Sequence, residues 1–159
     1  PKAAQETPVP QSEKYSWDWF QQPDAQPVEG QAHIELTTAE RPLMLTESEN
    51  EEKPYVWSIL LFAQETNGVS FTMEKVTEVY FNNEKLPMQT AEMTANEIEW
   101  YWYSTRLEAG GMTSYATDRP ADGGIGYGVA VEGKDDNGNE LTFKLYSLSY
   151  TGIEQKAGA

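Results

Sequence analysis

The chain of 159 residues contains no cysteine and a single histidine, His33. Without cysteine there is no disulfide, no thiolate zinc site and no thiol nucleophile. That absence leaves the compartment open, because disulfide-free exported domains exist beside cytoplasmic ones. Basic residues are scarce too: 11 Lys and Arg face 26 Asp and Glu, for a formal net charge of −15. Such a field repels phosphate backbones and anionic lipid, which argues against nucleic-acid binding by counterion release. The acidic excess is read as a solvated surface that favours solubility. No apolar run approaches the roughly 18 residues of a membrane span. The N-terminus also lacks the basic-then-apolar order of a signal peptide, so the expectation is a soluble chain from which any export signal has been removed.

What the chain has is rings. Hydrophobic residues make up only 38%, but 5 Trp, 9 Tyr and 5 Phe restore large apolar area. One domain with an aromatic-heavy core fits this length.

Three regions are expected. Residues 1–30 carry Pro1, Pro8, Pro10, Pro23 and Pro27 among Gln, Glu and Ala, a tether composition that buries little. It suits the stretch after the lipid-modified residue of a bacterial lipoprotein, with the lipid anchor upstream. Within it, Tyr15-Ser16-Trp17-Asp18-Trp19-Phe20 sets Tyr15, Trp17 and Trp19 on one face if extended. This stretch is expected to dock on the domain as an edge strand or a plug, the alternative being contact with a partner. Residues 31–152 form the folded domain, and residues 153–159 a flexible tail.

Inside the domain the pattern is short β-type runs between turn signals. His33-Ile34-Glu35-Leu36-Thr37 alternates, Leu43-Met44-Leu45 follows Pro42, and the acidic run 47–52 reads as a loop. The most apolar stretch, 55–63, predicts a central strand. Its expected mate is 69–81, joined through a hairpin at Asn67-Gly68. In that mate Val69, Phe71 and Met73 share one parity and Val76 and Tyr80 the other, so a bulge or corner is expected near Glu74. Pro87 sends the next strand to a sheet edge. Thr94-Ala95-Asn96-Glu97 matches a capping box and predicts a short crossover helix over 95–102, with Ile98, Tyr101 and Trp102 on one face. The same residues could alternate as a strand. Residues 117–124 read as a polar loop. The alternating runs 128–132 and 141–146 flank Asp135-Asp136-Asn137-Gly138-Asn139 as a hairpin with one solvent face.

Catalytic chemistry finds little support. His33 sits alone in an edge strand without a recognisable nucleophile. Gly123-Gly124-Ile125-Gly126-Tyr127-Gly128 lacks the lysine of a phosphate loop, and its glycines are expected to permit a bulge or a close approach. Glu140 stands where a calcium loop starting at Asp135 needs glycine, so a hairpin turn is the reading there. No catalytic residue, cofactor or metal ligand is assigned. The residues that could form a binding surface are Trp57, Trp100, Trp102 and Tyr103, which would stack on sugar rings if exposed and fill the core if not. Tyr15, Trp17 and Trp19 are the candidates for partner contact.

The run Thr66-Asn67-Gly68-Val69-Ser70-Phe71-Thr72-Met73-Glu74-Lys75-Val76, the capped helix from Thr94 to Trp102, Leu107-Glu108-Ala109-Gly110-Gly111 and the hairpin from Val129 to Tyr146 resemble immunoglobulin-like domains of bacterial secreted or surface lipoproteins. The resemblance implies an all-β fold: an antiparallel Ig-like β-sandwich with one short crossover helix and an extended N-terminal segment. It also implies an extracytoplasmic location and carries over no functional residue. The ring-rich helix departs from that family pattern. The functional expectation is a noncatalytic interaction module for a protein partner, the alternative being a carbohydrate-binding accessory domain.

Overall fold

A computed structural model of the chain describes residues 14–38, 44–47, 55–120 and 124–148. Its helices are α1 (Trp17–Gln21) and α2 (Ala95–Tyr101). Its strands are β1 (Ile34–Thr38), β2 (Met44–Glu47), β3 (Tyr55–Glu65), β4 (Phe71–Asn82), β5 (Pro87–Met93), β6 (Arg106–Leu107), β7 (Met112–Pro120), β8 (Gly124–Asp135) and β9 (Glu140–Leu148). In the first sheet β3 is central, with β1 and β2 along one edge and β7 along the other. The second sheet runs β5-β4-β8-β9, with β6 beside the start of β4. All pairings are antiparallel, and the two sheets pack as an all-β sandwich. Ile59, Leu61 and Tyr115 of one sheet meet Phe71, Val76, Val129 and Val131 of the other in a common core. No helix among the described residues is long and apolar enough to cross a membrane.

The capping-box residues start a helix. The Glu97 carboxylate accepts from the Thr94 backbone N–H at 3.1 Å and from its hydroxyl at 3.2 Å. Ile98 and Trp102 are fully buried, and the Trp102 indole stacks on Tyr115 with centroids 5.1 Å apart. The strand alternative for this segment does not form. The parity break in β4 is a shift of register against β8 between Met73 and Lys75. It lets Phe71 and Met73 before it, and Val76 and Tyr80 after it, all reach the same core. Among the described residues β5 pairs only with β4, which places it at a sheet edge.

Four expectations are corrected. First, β3 and β4 do not form a hairpin: they lie in different sheets. The buried Glu65 side chain accepts backbone N–H bonds from His33 (3.1 Å), Asn67 (2.7 Å), Gly68 (2.8 Å) and Gly110 (3.1 Å). That carboxylate turns residues 66–70 into a crossing between sheets, and Gly68 supplies the positive φ of 83°. Second, Thr117 and Asp118 belong to β7, opposite Ile59 and Ser58, because the long partner β3 extends the ladder through turn-prone residues. Residues 121–123 of that expected loop lie outside the described residues, as do 1–13, 39–43, 48–54 and 149–159, which include parts of the expected tether, Pro42 and Leu43, the acidic loop and the tail. Third, Trp17–Gln21 is a helix, not an extended strand, so the described residues hold two helices where one was expected. The Ser16 hydroxyl caps it, accepting from the Trp19 N–H at 3.1 Å.

The fourth correction follows from the third. The last hairpin has no fully solvated outer face, because Tyr15 and Phe20 cover Val79, Phe81 and Ala130 in a second apolar cluster. β4 accordingly buries every side chain from Val76 to Phe81. The second sheet is covered on both sides.

Burial raises the Glu65 carboxyl, but its backbone donors win and hold it below the ordinary value of 4.5. Asp135 is likewise held below 3.8: burial opposes, while the Asn139 side chain and backbone and the Ala32 and Asn137 N–H groups prevail. Both folded-state values are depressed, so the stability they confer is complete above the ordinary values and is lost as pH falls from there through the lower folded-state values. Glu65→Gln should cost about 2–3 kcal/mol at neutral pH, because an NH2 donor replaces one carboxylate oxygen and so faces two of the four N–H groups. It should also flatten the acid limb of a plot of thermal midpoint against pH; an unchanged limb would show that Glu65 does not carry this linkage.

Candidate functional site

The C-terminal end of α2 projects rings into solvent. Trp100 is 77% exposed, Tyr103 is 74% exposed and Tyr101 is half-exposed, while Trp102 between them is entirely in the core. Helical spacing produces this split: a seven-residue helix against the side of the sandwich turns only part of its circumference inward. Met112 is exposed beside the Thr113 hydroxyl, which donates to the Trp102 carbonyl and so ties β7 to this corner.

Tyr103 takes a φ of 68°, a left-handed conformation that is rare for a bulky side chain. Its flanks explain why it persists. The Glu99 carboxylate accepts from the Thr105 N–H at 2.9 Å, and the Thr105 carbonyl accepts from the Met73 N–H at 2.7 Å. The Ser104 hydroxyl accepts from the Arg106 N–H at 3.0 Å. Arg106 grips Asp136 through two bonds of 3.0 and 2.7 Å and Glu108 through one of 2.8 Å. The exposed ring therefore stands on a loop fixed at both ends, at a backbone cost of about 1–2 kcal/mol. Such rings offer flat apolar faces for stacking on a sugar, or hot-spot area for a protein partner.

The sequence-predicted set is thus divided. Trp100 and Tyr103 are together on the surface, and Trp102 is corrected to a core residue. Trp57 lies in β3 opposite Leu45 and Arg119, and its side chain falls outside the described residues. Of the partner candidates, Tyr15 is buried, its hydroxyl donating to Glu132 at 2.7 Å, and Trp17 and Trp19 are half-buried. The Trp17 ring meets Phe81 at 5.5 Å and Tyr146 at 4.9 Å. These rings contact the domain itself.

A groove of about 320 Å³ between the edges of β1 and β9 brings His33 together with Asp24, Glu35 and Lys144. His33 sets its ring edge-on to Phe143 at 5.5 Å. Lys144 donates to Asp24 at 3.1 Å and to the Gln22 carbonyl, so it serves the chain that roofs the groove.

Sequence reasoning missed the buried acids. Glu78 sits between the sheets and accepts from Tyr115 at 3.0 Å and Tyr127 at 2.8 Å. Burial, and then the nearby Glu78 charge, push the Tyr127 phenol well up. An acid inside an apolar run carries no mark of its partners in a sequence. Glu65 did have a signal, since it directly precedes Thr66-Asn67-Gly68 and can accept from the turn's N–H groups.

No family model matches the chain, and no curated protein matches it. Among solved structures it is similar to the ApaA protein from Bordetella pertussis, with a TM-score of 0.56 and 14% identity over 79% of this chain and 98% of that one. It is also similar to Northeast Structural Genomics Consortium target SoR45, with a TM-score of 0.50 and 8% identity over 79% of this chain and 91% of that one. Likeness at these identities concerns the fold alone.

Tyr103→Gly removes the left-handed strain and a ring that buries little. After the offset from glycine's larger unfolded-state entropy, the variant should gain about 0.5–1 kcal/mol in urea denaturation. A loss of stability would mean that the ring is anchored to the fold.

Proposed function

We propose that this chain is a noncatalytic interaction module of a bacterial surface lipoprotein or secreted protein, and that it meets its partner through Trp100, Tyr101 and Tyr103. The observation that carries this reading is the fixed loop that holds Tyr103 at an unfavourable φ while leaving its ring in solvent. Strain kept where it serves no packing points to a role outside the fold. A preformed ring platform also loses little entropy on binding. The extracytoplasmic part of the reading is supported by the Pro- and Gln-rich residues 1–30 and the resemblance to immunoglobulin-like lipoprotein domains.

A carbohydrate ligand is the second reading, favoured by the joint exposure of Trp100 and Tyr103. It no longer includes Trp102, which is inaccessible to a sugar.

Binding of the wild-type chain and a Trp100→Ala/Tyr103→Ala variant should be compared on extracellular proteins and on a glycan panel. At least about tenfold weaker binding by the variant, with an unchanged thermal midpoint, is expected on whichever class the wild type recognises. Equal binding by both chains would refute the assignment of this surface, and turnover in a broad hydrolase screen would refute the noncatalytic reading.

A further inference from the structure

The outer face of the second sheet contains a trench. Cross-strand register places Thr77 opposite Ala130, Val79 opposite Gly128 and Phe81 opposite Gly126, with Tyr146 next to Gly128 on the far side. β8 thus offers two bare glycines and an alanine between walls raised by β4 and β9. Phe20 lies on this floor: a Cβ at Gly128 would stand 2.6 Å from its ring. At one end of the trench Lys14 and Tyr15 both bond to Glu132, and at the other Lys85 lies over the Trp17 ring at 5.5 Å. Burial raises the Glu132 carboxyl, but the Lys14 and Tyr15 bonds and the Lys75 charge hold it down. The trench is built for a short ring-bearing helix with a cation at its start.

Its present occupant fits imperfectly. The Thr77 hydroxyl, opposite Ala130, and the Tyr146 hydroxyl, over Gly126, are both buried, and neither has a hydrogen-bond partner among the described residues. Lifting the segment would return both to water, which offsets part of the apolar area lost. The hinge is short. Residues 28–31 are gripped where Asn67 donates to the Val28 and Gln31 carbonyls and Asn137 to the Gly30 carbonyl. Only 23–27 separate that grip from the docked rings; all five are exposed, with proline at both ends.

We propose that the trench also accepts the 14–22 segment of a second copy of this chain, giving a reciprocally exchanged dimer. Each copy has one segment and one trench, so a two-fold exchange keeps the docking contacts of residues 14–22 and changes the hinge, where Asp24 meets Lys144. Short stiff hinges favour such exchange. This goes beyond the ring platform at α2 and does not depend on it.

The native Lys14–Glu132 pair supplies the probe. Unlabelled and nitrogen-15-labelled chains are mixed, incubated and treated with a carbodiimide, which activates the Glu132 carboxyl for attack by the Lys14 amine and takes up the elements of water as a urea when the amide forms. Mass spectrometry of the digest then reads which isotopes are joined. Joined pairs of mixed isotope should rise toward half of the total as the chains approach about millimolar concentration, the usual effective concentration of a short tether. Gly128→Val, which puts methyls where Phe20 lies, should abolish mixed and unmixed pairs alike. Unmixed pairs alone at every concentration would overturn the proposal. So would mixed pairs that persist in Gly128→Val, because they would report collisions and not docking.

Discussion

Phe20 rests on the backbone of Gly128, and that contact expresses the constraint on which the rest of the molecule depends: the second sheet is apolar on both faces and must be covered twice. In β4, Val76 and Tyr80 face the first sheet while Val79 and Phe81 face away from it. An antiparallel sheet with one solvated side is the common arrangement, and here that side would expose phenylalanine and valine to water. The first sheet cannot cover both faces. A segment preceding the sandwich does so, bringing four aromatic rings in six residues, with Glu132 fixing one end through Lys14 and Tyr15. The glycines of β8 then have a packing reason: a side chain at 128 would occupy the space of Phe20.

Delivering that segment requires order at one end of the sandwich, and two buried acids provide it. Glu65 accepts from His33 and Asp135 from Ala32, so consecutive backbone donors are held by carboxylates from different sheets. The asparagines of the same two turns, Asn67 and Asn137, then hold the chain just before them. Each turn serves as a connection and also as a clamp on residues 28–33. The stretch leading to α1 therefore starts from a fixed point, and its covering role depends on polar contacts far from the rings.

The architecture was largely legible in the sequence, for local reasons. Strand patterning identified the central β3 and the final hairpin; Pro87 marked the edge strand β5; a parity break located the shift near Glu74; and Thr94 with Glu97 marked α2. What failed was non-local. Asn67-Gly68 is compatible both with a hairpin and with a crossing between sheets, and only the convergence of four donors on Glu65 decides between them. Ser16 could have marked a helix start, but alternating rings suggested a strand. The polar parity of β9 hid the covered face, since Lys144 and Tyr146 read as solvent-facing until α1 is placed over them. At the α2 corner the cluster of rings was visible. Its division into core Trp102 and exposed Trp100 and Tyr103 depends on which arc of the helix meets Tyr115.

Two ring surfaces thus coexist with different physics. At α2 the rings are exposed and their loop is fixed; at α1 the rings are covered and their hinge is short. The central claim is the second covering of the sheet, and nuclear magnetic resonance of the full chain tests it most directly. Strong cross-relaxation between the Phe20 ring protons and the Gly128 Cα protons, with those Cα protons displaced by the ring current, is the predicted result. Gly128 protons at ordinary shifts, with no cross-peak to Phe20, would contradict it.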